Sequence, residues 1–499
     1  MPPLYNEIPY GEPCDAYEAL RRSRQPLHNS ILLESVKGSC KIARYSFIVL
    51  EPYLVLIAKN GELNIYSPAA GRSSVSCRPP LERLGELVTA YPQKPDPELP
   101  PFQGGAVGLL SYDFLRYIER IPNKAVDDLC LPDAHFLMAD RVVAFDHLQR
   151  KAWAIVAPGV RATELGYGNI PDIDWDSAYG EAEETLRIIS DELLVTRHPL
   201  LPSDQSLVIR HSSLNYEMSG EQYMDIVRRA KKYIAAGDIF QANLSQRISA
   251  DIGDSNPWDI YKVLRKINPS PFAAYVDFGN YHIVSSSPER LVKVADNVIE
   301  TRPIAGTRPR GADLKGDALM RAELLLNEKE RAEHIMLIDL ERNDIGRVSE
   351  YGSVAVDELM ITEDYSHVIH IVSNVRGVSR KDKTCFDVIK ATFPGGTITG
   401  VPKVRCMEII DKLEPVARGP YTGSLGYIGY SGNMDLNIII RTFVIKDGRA
   451  YVQAGAGIVA DSDPGREYYE TLKKAEALIR TLEAVDPGTT LGTVPIYQQ

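Results

Sequence analysis

The chain has 499 residues, 44% hydrophobic and 25% charged, which excludes a disordered chain or a small disulfide-held module and leaves room for several cores. A net charge of −11 argues against nucleic acid or an anionic membrane held through bulk charge, so an anionic ligand would need locally placed cations. No run approaches the roughly 18 apolar residues of a membrane span, MPPLYNEIPYGEP lacks the blocks of a signal peptide, and the six cysteines show no metal-like spacing; a cytoplasmic protein with reduced thiols is expected.

In chain order, ILLESVKGSCKIARYSFI from Ile31 to Ile48 has two β-like ends around a polar middle, and YLVLIAKNGELNIYS follows with an Asn60-Gly61 turn. Together these runs predict one antiparallel sheet opening the chain. A helical LERLGELVTAY lies within the Pro-rich residues 68–101, GGAVGLLSYDFLRYIERI begins Gly-rich and ends amphipathic, and a strand pair is expected between Arg141 and Ala157. The polar stretch from Pro158 to Ser213 reads as a boundary between an N-terminal domain, residues 1–190, and a second domain, residues 215–485. Its SAYGEAEETLRIISDELL reads as a connecting helix.

Beyond that boundary, SGEQYMDIVRRAKKYIAAGDIFQANLSQRISADI predicts a helix capped near Ser219, stopped at Gly237 and followed by a strand. The long run from Asn268 through ETRPIAGTRPRG predicts successive strands joined by Gly-Asn and Ala-Asp-Asn turns. Hairpins mixed with long helices, without regular βα alternation, predict an α+β fold: a large mixed body of antiparallel sheets flanked by helices.

Candidate chemistry centres on NEKERAEHIMLIDLERNDIGRV, from Asn327 to Val348. Ala332, Ile335, Met336, Ile338 and Leu340 fall roughly at helical spacing, while Glu330 and Glu333 share one face. A second acid pair, Glu467 and Glu470, lies in PGREYYETLKKAEALIRTL. Two such helices could clamp one magnesium ion through oxygen; alternatively each face stays solvated beside Lys and Arg. FPGGTITGVPK clusters glycines around Thr397, but Lys403 stands too far from the last glycine for a nucleotide loop, which leaves a carboxylate cradle or a tight turn. Arg441, read as the middle of the apolar strand LNIIIRTFVI, needs an acid from either the protein or a ligand. His370 sits on a strand-like run, where a hydrogen-bonded core histidine is the ordinary occupant.

Nine stretches in order carry a resemblance: LLES with RYSF, GDIFQANLSQR, SSPERLV, ETRPIAGTRPRG, NEKERAEHIMLIDLERND, GGTITGVPK, GSLGYIG, MDLNIIIRTF and QAGAGIVADSDPGREYYET. They resemble the chorismate-utilising enzymes, most closely the large subunits of anthranilate synthase, which convert chorismate and ammonia to anthranilate and pyruvate in tryptophan biosynthesis. The resemblance implies a Mg2+-dependent lyase with Glu333 and Glu470 as direct metal ligands and Glu330 and Glu467 holding metal-bound water. The ring carboxylate of chorismate would meet the metal, Lys474 and the backbone of the loop at Gly396, while Arg441, Tyr421, Gly455 and Gly457 grip the enolpyruvyl carboxylate. Gln241, Gly306 and Thr307 complete the implied substrate contacts. Glu289 matches the acid that releases the ring hydroxyl, and His370 and Thr397 match positions assigned to pyruvate elimination.

Relatives that add water usually carry a lysine where Gln241 stands, and a glutamine cannot deprotonate water. The para-aminating relatives often carry a lysine in place of Ala305, so an alanine favours anthranilate; the large subunit of aminodeoxychorismate synthase and a catalytically silent tryptophan-sensing subunit remain alternatives. LLES resembles a tryptophan-binding segment, which implies an inhibitor site at Glu34, Ser35, Pro271, Phe272 and Ala273, although feedback-regulated members more often show Tyr-Met at the last two. No cysteine nucleophile in a Gly-rich elbow with a downstream histidine is visible. Ammonia is therefore expected from a separate glutamine amidotransferase subunit in a hetero-oligomer, a heterotetramer, with neither nucleic acid nor membrane as a partner.

Overall fold

Leu54–Lys59 is an apolar strand that reverses at Asn60 and Gly61, whose φ values of +52° and +87° suit the tightest hairpin, and pairs with Glu62–Tyr66. The computed structural model describes residues 1–24, 28–68, 71, 73–161, 173–195, 214–311, 313–364 and 368–485, and every strand pairing in its two large sheets is antiparallel. The first sheet runs from Leu4–Ile8 through Tyr45–Val49, Ser30–Glu34, Phe272–Asp277, Tyr281–Ser287, Thr442–Lys446 and Arg449–Ile458 to Gln241–Asp251. The second runs from Ile304–Pro309 through Val368–Val378, Arg290–Ala295, Met434–Asn437, Ser424–Gly429 and Gly105–Leu110 to Leu54–Lys59 and Glu62–Tyr66.

One apolar core lies between the sheets, where Phe47, Val49 and Val276 of the first meet Val107, Leu137 and Tyr427 of the second. Two further cores pack helices against the outer faces, Trp258 and Leu478 in one and Ile389 and Ile410 in the other. The α+β expectation therefore holds, as helices covering a sandwich of sheets. Residues 1–190 and 215–485 share both sheets: Ser30–Glu34 pairs with Phe272–Asp277, and Gly105–Leu110 pairs with Ser424–Gly429.

The expectations for the opening runs and for the connecting helix need correction. The opening runs do not form one sheet, because Ser30–Glu34 and Tyr45–Val49 join the first while Leu54–Lys59 and Glu62–Tyr66 join the second. The helix Trp175–Val195 is more than a connector: Ala182, Leu186 and Ile189 enter the core beneath the first sheet. In Glu328–Gly346 the inward face is His334, Leu337, Ile338, Glu341, Asp344 and Ile345, whereas Ala332 and Ile335 face solvent. Polar residues on the buried face blur the apolar period that the sequence offers.

LNIIIRTFVI is not one strand either. Met434–Asn437 belongs to the second sheet and Thr442–Lys446 to the first, so the chain crosses between sheets over residues 438–441, and Arg441 takes a left-handed φ of +53°. A second crossing runs beside it, from Tyr281–Ser287 into Arg290–Ala295, with Glu289 in the gap. Ile438 N donates to Glu289 O at 2.9 Å and Ser286 N to Arg441 O at 3.1 Å, so the two crossings brace each other. Glu289 and Arg441 are thus held on paired corners of the sandwich, where backbone geometry is fixed from both sides.

Candidate active site

Around these corners the structure gathers the implied catalytic and substrate-contacting residues from distant segments. Glu289 is buried, and its Oε1 accepts from Thr397 Oγ1 at 2.7 Å. Burial pushes its carboxyl up to about 7, against the hydrogen bond from Thr397 and the charge of Lys474. A carboxyl that is half protonated near neutrality is suited to proton donation. Thr397 belongs to the short helical turn Gly396–Ile398, so the GGT loop is a tight turn; the helix that follows begins only at Lys403.

His370 comes from Val368–Val378, with Nδ1 3.1 Å from Gly306 O and 3.0 Å from Thr307 Oγ1. A carbonyl only accepts, so Nδ1 carries the proton. Burial, against the hydrogen bond to Gly306 and with a smaller push from the positive charge of Arg441, lowers the ring to about 4, so His370 is neutral at physiological pH. Arg441 donates from Nη1 to Lys474 O and has no carboxylate within ion-pair distance among the described residues. Desolvation pushes this guanidinium below its ordinary range, partly offset by Tyr421 and Glu470.

Tyr421, Gly455 and Gly457 form the adjoining wall. Strand Gln241–Asp251 lies so close to Arg449–Ile458 that a Cβ on Gly455 would sit 2.5 Å from Asn243 Oδ1 and 2.9 Å from the Tyr421 hydroxyl. A Gly455 Cβ would also stand 2.8 Å from the backbone oxygen of Leu244, so that position requires glycine, whereas a Gly457 Cβ would meet only the movable Gln241 side chain, with Nε2 at 2.5 Å. Gln241 Oε1 and Asn243 Oδ1 are buried and accept no hydrogen bond among the described residues, and Asn243 Oδ1 faces Gly455. Asn243 lies in the GDIFQANLSQR stretch but was not singled out by the sequence analysis; alternation with Gln241 on one strand face was the available signal.

The four acids expected to serve a metal converge from Glu328–Gly346 and Pro464–Val485. Glu333 is raised by burial, and then by Asp461, Glu330 and Glu470 against Lys329, while Glu467 is raised by burial and by Glu470. Their charges are shared with nearby cations. Lys474 Nζ contacts Glu470 Oε1 at 2.6 Å and Gly455 O at 3.0 Å, and Arg308 contacts Glu330 Oε1 at 2.7 Å. Glu330 Oε2 is buried and has no hydrogen-bond partner among the described residues. No group of three or more His, Cys, Asp or Glu side chains stands at metal-ligand spacing among the described residues. The donor set therefore suits a hard divalent cation by charge, oxygen chemistry and an orphaned oxygen, with its members drawn toward Lys and Arg in this arrangement.

The implied amino-acid site is separate. Ser35, Pro271, Phe272 and Ala273 line a cavity of about 530 Å³ between the sheets, together with Arg44, Arg290 and Asp435. Glu34 reaches its wall, but its carboxylate is held by Arg265 at 2.7 Å and by the Tyr261 hydroxyl. Ser35 Oγ donates to Tyr45 O and Pro271 O, pinning the two segments together, and Phe272 packs 5.3 Å beneath the Arg290 guanidinium.

Among the described residues, no helix is long and apolar enough to cross a membrane. The chorismate binding enzyme family matches residues 29–480. Over 457 residues the chain is 46% identical to anthranilate synthase component 1 of Acetivibrio thermocellus, covering 91% of this chain and 90% of that one. It is also 40% identical over 491 residues to aminodeoxychorismate synthase component 1 of Bacillus subtilis, covering 98% and 99%. The solved structure of anthranilate synthase component I from Streptococcus pneumoniae superimposes with a TM-score of 0.75 at 36% identity, covering 87% of this chain and 92% of that one.

Proposed function

The chain belongs to the chorismate binding enzymes, and from that membership we propose that it is an anthranilate synthase large subunit, combining chorismate with ammonia to give anthranilate and pyruvate. The observation that carries this reading is Arg441: a guanidinium sequestered on a sheet crossing, without an ion-paired acid among the described residues, beside the protonatable Glu289. A carboxylate from outside the protein supplies the missing partner.

Chorismate binds with its enolpyruvyl carboxylate against Arg441, Tyr421 and the Gly455 to Gly457 backbone. Magnesium fits the acid cluster, where Glu333 and Glu470 would hold it with Glu330 and Glu467 alongside; when bound it would neutralise the ring carboxylate. Ammonia adds to the ring carbon next to the carboxylate-bearing one while the ring hydroxyl leaves. Glu289 gives that hydroxyl its proton, so water departs and Glu289 is left ionised, with Thr397 Oγ1 already in place to stabilise it. Pyruvate elimination then aromatises the ring: the ring C–O bond breaks, the ring loses a proton and the enolpyruvyl methylene gains one, with neutral His370 orienting or moving that proton and Thr397 assisting at the leaving side. Gln241 offers no base for water, which favours ammonia as the nucleophile.

Ammonia comes from a glutamine amidotransferase partner in a heterotetramer in the cytoplasm. Tryptophan occupies the cavity beside Ser35 and Pro271 as an inhibitor, with Phe272 and Ala273 setting its affinity. Incubating the chain with chorismate, magnesium and ammonium and following anthranilate fluorescence tests the central reading. A second reading, the para-aminating aminodeoxychorismate synthase, is favoured by the end-to-end match to the Bacillus subtilis protein. Its signature is a non-aromatic amino product formed without pyruvate, and that outcome would displace the first reading.

A further inference from the structure

Beneath the Gly396–Ile398 turn lies an acid that the proposed chemistry leaves unused. Glu341, on the inward face of Glu328–Gly346, is only 6% exposed and has no ion pair among the described residues. Its Oε1 stands 3.8 Å from where a Gly396 Cβ would be, directly under the turn whose next residue, Thr397, donates to Glu289 Oε1 at 2.7 Å. Two buried carboxyls therefore flank one turn.

The groups facing Glu341 explain its state. Along its own helix Asp344 binds Lys403 Nζ, and Lys403 also donates to Thr392 O at 3.0 Å, so the nearby cation is matched by Asp344. Arg347 adds positive charge on the Asp344 side. From the neighbouring strand the Thr301 hydroxyl approaches, with no other partner among the described residues. Across the turn lies Glu289, approached on its far side by Lys474, itself paired with Glu470. Burial and the charges of Asp344 and Glu289 push Glu341 up to about 8, against Lys403 and Thr301. Isolated ionised carboxylates are costly in such surroundings, and two that interact lose their protons as a pair.

We propose that Glu341 is a positioning residue for the proton-donating step: a neutral carboxyl under the Gly396–Ile398 turn whose coupling to Glu289 keeps that donor protonated to higher pH. The proposal rests on the reading of Glu289 as the acid that releases the ring hydroxyl. Once either carboxyl is ionised the other resists ionisation, so the remaining proton is shared between them and the donor form persists on the alkaline side.

The test compares kcat against pH for the wild-type chain, Glu341→Gln and Glu341→Asp with chorismate, magnesium and ammonium, each variant expressed as a ratio to wild type so that the changing ammonia fraction cancels. Glu341→Gln should lose about three- to tenfold activity between pH 8 and pH 9 relative to its ratio at pH 6.5, with KM for chorismate within about twofold and recovery in Glu341→Asp. Superimposable profiles would overturn the coupling. Infrared difference spectra between pH 6 and pH 9.5 need no substrate: wild type should lose two buried carboxylic-acid bands and Glu341→Gln one, at lower pH. If Glu341→Gln does not fold, Glu289→Gln serves, with the remaining Glu341 band titrating lower than in wild type; an ionised Glu341 at pH 7 in wild type would sink the proposal. Coupled bands in a chain that makes no aminated product would instead refute the proposed function and leave the coupling intact.

Discussion

Two arginine corners lie on either side of Tyr421 and behave in opposite ways. Arg418 donates to both oxygens of Glu414, at 2.9 and 2.7 Å, and to the carbonyls of Ile398 and Asn243 at 3.0 and 2.7 Å, with the Tyr112 ring 4.7 Å from its guanidinium. Glu414 also accepts from the backbone and hydroxyl of Ser245, each at 2.8 Å, so this corner is saturated and its guanidinium is pushed well above the ordinary range. Arg441 has only the Lys474 carbonyl among those contacts and is pushed down by desolvation. The difference teaches how to separate a strut from a receptor in the same wall: a buried charge closed by the protein holds the fold, and one left open is available to a ligand.

Removing the strut has the largest expected effect. Arg418→Ala should lose about 3–5 kcal/mol of stability in urea unfolding, because Glu414 is left buried and unpaired; a loss under about 1 kcal/mol would break the contrast. Arg441→Ala should instead raise KM for chorismate roughly 10- to 100-fold, equivalent to about 1.5–3 kcal/mol. Its melting temperature should stay within about 2 °C of wild type, so a stability loss matching that of Arg418→Ala would make both residues struts.

The pH dependence of stability sharpens the same contrast. Burial lowers His334 to about 4, so between pH 7 and pH 5 the unfolded chain takes up a proton that the folded chain refuses, and stability falls with pH. Glu289, raised from 4.5 to about 7, acts with the opposite sign: the folded chain takes up the proton there, and stability falls as pH rises through that window. Each group contributes about 2 kcal/mol between pH 5 and pH 7. Unfolding measured at both pH values should show His334→Gln and Glu289→Gln shifting the difference in opposite directions; shifts of the same sign would contradict the assigned protonation states. The smallest expected effect belongs to the acid cluster, where Glu333→Gln should raise the magnesium concentration needed for half-maximal activity at least about tenfold. An unchanged magnesium response would remove Glu333 from the ligands.

Much of this arrangement was legible in one dimension. Spacings of three and four placed Glu330 beside Glu333 and Glu467 beside Glu470 and Lys474, because a helix repeats every 3.6 residues. The cap at Ser219 was legible for the same local reason, and it forms as a reciprocal box with Gln222. Glu341 was not, because the face it shares with His334 and Asp344 carries too many polar groups to look inward. Arg441 was misplaced because an apolar run shows no mark of the point where a strand leaves one sheet for the other.

The amino-acid order alone determined several helices, among them Gly220–Ala235 and Glu328–Gly346, many strands and the chemical types brought to the site, since capping, periodicity and turn residues act within a few positions of themselves. Only the tertiary structure decided which acids face one another, that Arg441 has no carboxylate at ion-pair distance among the described residues, and that Glu289 and Glu341 lie on two sides of one turn. Those outcomes depend on desolvation and on partners contributed by distant segments, and neither exists until the sheets have closed over them.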